Sequence, residues 1–222
     1  MSYPKRFIKT TFGLILFSVG VYLSIQANIG LSPWDAFSIG FSNILPFSYG
    51  DIVVISGILI LFLDYLLKEK IGFGTLLNIV LIGKCVDFFN YLDIVPKLDN
   101  FYLGVVMLLI AQVILSIATY FYIDGALGCG PRDALMNAMQ RKFPKMPIGI
   151  SRGLIEGTAL LIGWILGAKV GIGTLISIFG ISIVMQYTFK ILDFDIKTIK
   201  HENIFDTIRI IIGKDVELVK EA

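Results

Sequence analysis

A chain of 222 residues that is 56% hydrophobic and 13% aromatic, with only 16% of its residues charged, is too apolar for a soluble domain, where charged residues approach a quarter of the total. The formal net charge is +2. The only histidine is His201, and the two cysteines, Cys85 and Cys129, form no C-x-x-C pair, so neither a zinc site nor a disulfide framework is expected.

Six runs are apolar enough to cross a hydrocarbon core of roughly 30 Å, which takes about 20 helical residues: 7–27, 51–67, 72–92, 101–123, 149–168 and 171–192. They are continuously apolar, whereas a barrel strand alternates, so helices are predicted. Lys5, Arg6 and Lys9 precede the first run as they would a cleaved leader. It is read as a span instead, because its end aligns with the end of the fourth inside an internal repeat. Gly30, Pro33, Asp35 and Ala36 recur 98 places later as Gly128, Pro131, Asp133 and Ala134, with Gly130 inside the second copy, and Pro46 recurs as Pro144. Gly72, Gly74, Thr75 and Leu76 recur 99 places later as Gly171, Gly173, Thr174 and Leu175. Two motifs that keep one order and nearly one offset mark a duplicated unit, about 7–92 and 101–192.

Alternate loops hold fifteen Lys and Arg against two in the others, with Lys84 and Arg152 inside spans. By the positive-inside bias both termini face the cytoplasm. Three crossings per repeat then turn the second copy upside down relative to the first. The fold expected is an all-α, multi-pass membrane domain over 1–192, six transmembrane helices in two inverted repeats of three, with a cytoplasmic tail over 193–222.

Each repeat also has a segment too short to span, 33–45 and 131–143, opening on Pro-x-Asp. Proline suits the first helical position, and the aspartate two residues on can accept from unbonded amides at the positive end of the dipole. The first segment is uncharged after Asp35 and reads as a half-helix dipping into the bilayer. The second carries Arg141 and Lys142 and reads as interfacial or shallow. In the tail, Ile204, Phe205, Ile208, Ile211 and Ile212 fall at helical spacing, predicting an amphipathic helix on the membrane, on the bundle or on a partner. His201, beside Lys200 and Glu202, is expected to be solvated.

Charged groups inside spans are costly and usually functional. Lys84 with Asp87, three apart, and Arg152 with Glu156, four apart, can each pair on one helix face. Neutralisation for stability and a specific role are both open, the latter favoured because Lys84 maps onto Ile183 and Asp87 onto Gln186. If Arg152 and Glu156 are buried, removing one partner should cost roughly 3–5 kcal/mol. Asn78, Gln112 and Gln186 are further polar candidates, for which interhelical hydrogen bonding suffices. Gly149, Gly153 and Gly157 predict close helix packing, with a flanked ligand path as the alternative. Thr75 and Thr174 are placed to bond to backbone, and no phosphate-loop lysine follows the Gly-x-Gly-Thr pairs. Gly149-Ile150-Ser151-Arg152-Gly153 has the form of a hydrolase nucleophile elbow but lacks a strand before it and a histidine base, so it is discounted.

The residues Gly128 to Met136, Arg152 with Glu156, Gly163-Trp164 with Gly167, Gly171-Ile172-Gly173-Thr174 and Gln186 resemble the YczE/YyaS/YitT group of bacterial membrane proteins, especially its YczE-like branch, over about 7–192. Ala168 and Ser182 depart from its pattern. The resemblance implies a bacterial plasma-membrane protein and carries no biochemical activity with it. The expectation is a small secondary transporter or transport subunit, not an enzyme, with Asp35, Arg132, Asp133, Arg152 and Glu156 lining the path and Lys84, Asp87 and Gln186 as further candidates. The alternative is a membrane factor that regulates a partner through its tail. Lipid, a small solute or ion and a protein partner are the candidate contacts; no cofactor, metal or nucleic acid is expected.

Overall fold

The computed structural model describes residues 3–199 and 201–211. Eight helices form two runs: α1 (Tyr3–Gln26), α2 (Pro33–Ile44), α3 (Tyr49–Leu66) and α4 (Phe73–Leu92), then α5 (Phe101–Asp124), α6 (Pro131–Lys142), α7 (Ile148–Ile165) and α8 (Ile172–Ile191). Helix by helix the two runs have equal lengths, 24, 12, 18 and 20 residues. The duplicated unit is therefore four helices. A 3-10 turn (Ile196–Thr198) and α9 (Ile204–Ile211) follow. Among the described residues α1, α3, α4, α5 and α8 are long and apolar enough to cross a membrane. Helix α7, whose 18 residues include Arg152 and Glu156, holds the place of the expected fifth span.

Local chemistry sets the helix ends. Gly30 and Gly128 have φ of +133° and +122°, which side chains rarely adopt, so the turn before each half-helix needs glycine. The Gly30 turn packs on Gly171 and Thr174, and the Gly128 turn on Gly72 and Thr75. Each repeated motif thus meets the other motif's copy from the opposite half. Thr75 and Thr174 Oγ1 each accept the N–H of the glycine three places back, Gly72 and Gly171, at 3.2 Å. Neither Pro-x-Asp aspartate caps its helix as expected: Ser32 accepts the Asp35 amide, and α6 has no side-chain cap. A serine one residue before the proline takes that place in α2; glycine stands there in α6.

Helices α1 and α5 pack along each other as the central pair, with α4 against α1 and α8 against α5. The half-helices cross over, α2 packing on α7 and α6 on α3. Their far ends reach opposite connections: Asn43 donates to the Leu166 carbonyl (3.5 Å), and Arg141 to that of Leu67 (3.1 Å). The remaining connections sort the same way. Leu98 N–H donates to the Gln26 carbonyl (2.9 Å) and Lys169 to that of Asn28 (2.6 Å). Elsewhere Arg6 donates to the Gly125 carbonyl (2.9 Å), and Ile204 N–H to that of Ile71 (2.9 Å).

One equivalence fails. Helix α3 packs closely on α4, whereas α7 makes no comparable contact with α8. A Cβ on Gly50 would fall on the Gly83 carbonyl, yet one on its counterpart Gly149, or on Gly153 or Gly157, would meet nothing within 4 Å. Gly149, Gly153 and Gly157 therefore do not mediate the close packing expected of them, because the helix that should receive them stands away, whereas Gly163, farther along α7, does lie close against the backbone of Ala36 and Phe37.

The tail docks rather than floats. Arg6 forms an ion pair with Glu202, whose N–H donates to the Ala126 carbonyl (3.1 Å). His201 is not solvated as expected: it is partly buried, its Nδ1 has no partner, and burial with the nearby Arg6 holds its pKa below the ordinary value. Helix α9 forms where expected; Lys200, Ile212 and the chain beyond lie outside the described residues.

Candidate functional site

The crossing of α2 and α6 brings their N-terminal ends together. The Arg132 guanidinium lies over the Trp34 ring, 4.4 Å from its centroid. Arg141 and Lys142 sit in the last turn of α6, at the opposite end of the helix from Arg132. The Arg132 and Trp34 side chains are both half-buried, and a cation over such a tryptophan face is worth about 1 kcal/mol. Both helices present their positive dipole ends here.

Asp35 is buried and accepts hydrogen bonds from Ser32 Oγ (2.7 Å) and from the Tyr49 hydroxyl at the start of α3 (2.8 Å). Arg132 interacts electrostatically with Tyr49, Asp35, Asp133 and Glu156, and Asp133 in turn with Arg152. Arg152 Nε donates to Glu156 Oε1 at 2.8 Å, so the expected i,i+4 pair forms. Its side chains are 44% and 18% exposed, however, so the pair is half-open and worth about 0.3–0.5 kcal/mol rather than the cost of a buried one. Five of the candidate residues, Asp35, Arg132, Asp133, Arg152 and Glu156, are gathered around the two helix ends, two guanidinium groups facing three carboxylates.

Beside them is a cavity of about 380 Å³ between α2, α3, α6 and α7. Its wall is apolar, from Trp34 and Phe37 to Met139, Leu154 and Ile162, with Ser56 and Thr158 as the hydroxyls. Trp34 belongs to both the cavity and the charged cluster. That size suits a small molecule, and a mostly apolar wall with a few polar groups is what such sites have.

The other candidates fall elsewhere. Lys84 and Asp87 do not pair with each other. Lys84 Nζ binds Asp51 (2.6 Å), while Asp87 accepts from Ser48 Oγ (2.5 Å) and Gly50 N–H (2.8 Å). The capped start of α3 offers each a better partner than its own helix does: Ser48 and Asp51 form a reciprocal cap there. The two residues thus close the α3–α4 seam. Gln112 donates to the Ile176 carbonyl (2.8 Å), joining α5 to α8, and Gln186 is exposed on α8. Trp34, Tyr49, Ser48 and Asp51 were not singled out by sequence reasoning; the cap Ser48-x-x-Asp51 was a readable signal, the Tyr49 to Asp35 bond was not. Asp64, inside the second span, carried a signal that was passed over.

A family model described as a family of unknown function (DUF6198) matches residues 4–190. The uncharacterized membrane protein YczE of Bacillus subtilis is 31% identical over 178 residues, 79% of this chain and 81% of its own. An uncharacterized protein of Haemophilus influenzae is 28% identical over 82% of each chain. The uncharacterized protein YyaS of Bacillus subtilis is 27% identical over 75% of this chain and 83% of its own. No solved structure matches the chain.

Proposed function

The chain belongs to the DUF6198 family and is a multi-pass membrane protein, and from that premise we propose that it is a small secondary transporter, or transport subunit, built from two inverted repeats of three spans and a half-helix. The observation that carries the reading is the unequal packing of equal halves. In an inverted repeat the α3–α4 and α7–α8 seams open to opposite sides of the membrane, and alternating access needs one closed while the other is parted. Here α3 is closed on α4 through Gly50, Gly83, Lys84 and Asp87, and α7 is parted from α8. With both termini cytoplasmic, as the charge bias directs, the parted seam faces the cytoplasm. The charged cluster at the half-helix ends lies between the two seams and is the proposed substrate path.

The test is a disulfide between Gly149→Cys and Ser182→Cys, the counterparts of the touching pair Gly50 and Gly83, in a Cys85→Ser, Cys129→Ser background. A transporter must pass through a state in which α7 closes on α8, so mild oxidation of reconstituted protein should trap that state over time. A pair that never forms a disulfide, at any pH or with any solute gradient, would count against alternation and favour the partner-regulating reading.

A further inference from the structure

Asp64 lies outside the cluster described above. It sits in the last turn of α3, is fully buried at 0% exposure, and neither carboxyl oxygen has a hydrogen-bond partner. A buried, unpartnered carboxylate is among the costliest groups a fold can hold, and such a group normally resolves the cost by taking a proton. Its neighbours do not offset a negative charge. Glu69, in the α3–α4 connection, acts on it as a like charge. Arg141 of α6 binds Glu69 at 2.5 Å and is 57% exposed. Cys129, before α6, also interacts with Asp64; burial first, then Asp133, pushes its thiol up to about 12, so it stays neutral and neither supplies nor takes the proton.

The repeat shows that the fold does not require an acid here. The counterpart of Asp64 is Gly163, which lies against the backbone of Ala36 and Phe37 where α7 packs on α2. The equivalent packing of α3 on α6 could be made with a small residue. In its place stands an acid inside a helix long and apolar enough to span, a placement that elsewhere marks proton and ion pathways.

We propose that Asp64 is a proton-binding site coupled to the exchange of the two seams: its carboxyl holds a proton in the state seen here and gives it to water when α3 shifts on α6. One O–H bond forms or breaks at the carboxyl, and bulk water supplies and receives the proton. The inference rests on the transport reading above.

Full-length reconstituted protein carrying Gly153→Cys, a position with open space around it, serves as the test in the Cys85→Ser, Cys129→Ser background. Infrared difference spectra on a pH jump should show a protonated-carboxyl band that Asp64→Asn removes. The thiol-labelling rate of the α7 cysteine should change roughly fivefold or more across the same jump, the low end of a typical coupling, and should not change with Asp64→Asn. If Asn does not insert, Asp64→Glu should keep the band at a shifted frequency. A band that survives Asp64→Asn overturns the proposal. So does labelling that stays pH-dependent without Asp64, although the transport reading then stands. A band that belongs to Asp64 with labelling that ignores pH overturns the coupling of Asp64 to the seams, whereas the transport reading falls only if the disulfide pair of α7 and α8 never closes.

Discussion

Asp35 shows how a residue can be located by sequence and misread in role. Pro-x-Asp at a helix start points to an aspartate that caps its own helix, yet the Asp35 carboxyl faces Ser32 and Tyr49 instead. The difference is measurable. Asp35→Ala strands the buried Tyr49 hydroxyl and the half-buried Ser32 hydroxyl and should cost roughly 2–3 kcal/mol, whereas Tyr49→Phe removes one of the two bonds and should cost about 1 kcal/mol. Asp35→Asn keeps an acceptor and should fall between wild type and Ala in thermal unfolding. A capping role would give a different order: Tyr49→Phe neutral, and Asp35→Ala no worse than about 0.5–2 kcal/mol. Lys84 and Asp87 carry the same lesson, since spacing said that they could meet and the capped start of α3 drew each away.

At the scale of elements, equal helices are used unequally. Helices α3 and α7 have the same length and place in their repeats, and both carry glycine at the second position. In α3 that glycine is a close contact, and in α7 it, Gly153 and Gly157 face open space. Gly50→Ala should therefore force α3 from α4 and destabilise the protein by roughly 1–3 kcal/mol. Gly153→Ala should stabilise by up to about 1 kcal/mol, through helix propensity alone. Equal losses at the two positions would mean that α7 and α8 are packed together in the membrane.

For the whole molecule the decisive quantity is which side each connection faces. Cysteines introduced at Asn100 and Asn203 and probed with an impermeant thiol reagent in intact cells should differ, Asn100 labelling and Asn203 not. Labelling at Asn203 alone would reverse the topology, and labelling at both would remove the odd number of crossings per half on which the inverted arrangement depends. The hydrogen bonds group the two positions with different connections: Leu98, just before Asn100, is tied to Gln26, while Ile204, just after Asn203, is tied to Ile71.

The helices, their ends and their duplication were legible in the sequence because each is a local property: apolar runs of spanning length, glycine where φ must be positive, proline where a helix begins, and the same order of these twice. The gathering of Asp35, Arg132, Asp133, Arg152 and Glu156 was legible only as a list, since nothing local says that two half-helices cross to the opposite repeat and meet end to end. The Tyr49 to Asp35 bond, the stacking of Arg132 on Trp34, the isolation of Asp64 and the parted α7–α8 seam were decided by tertiary structure alone. They depend on how far apart whole helices stand, and two halves of one pattern can settle that distance differently because the total packing, not the pattern, sets it.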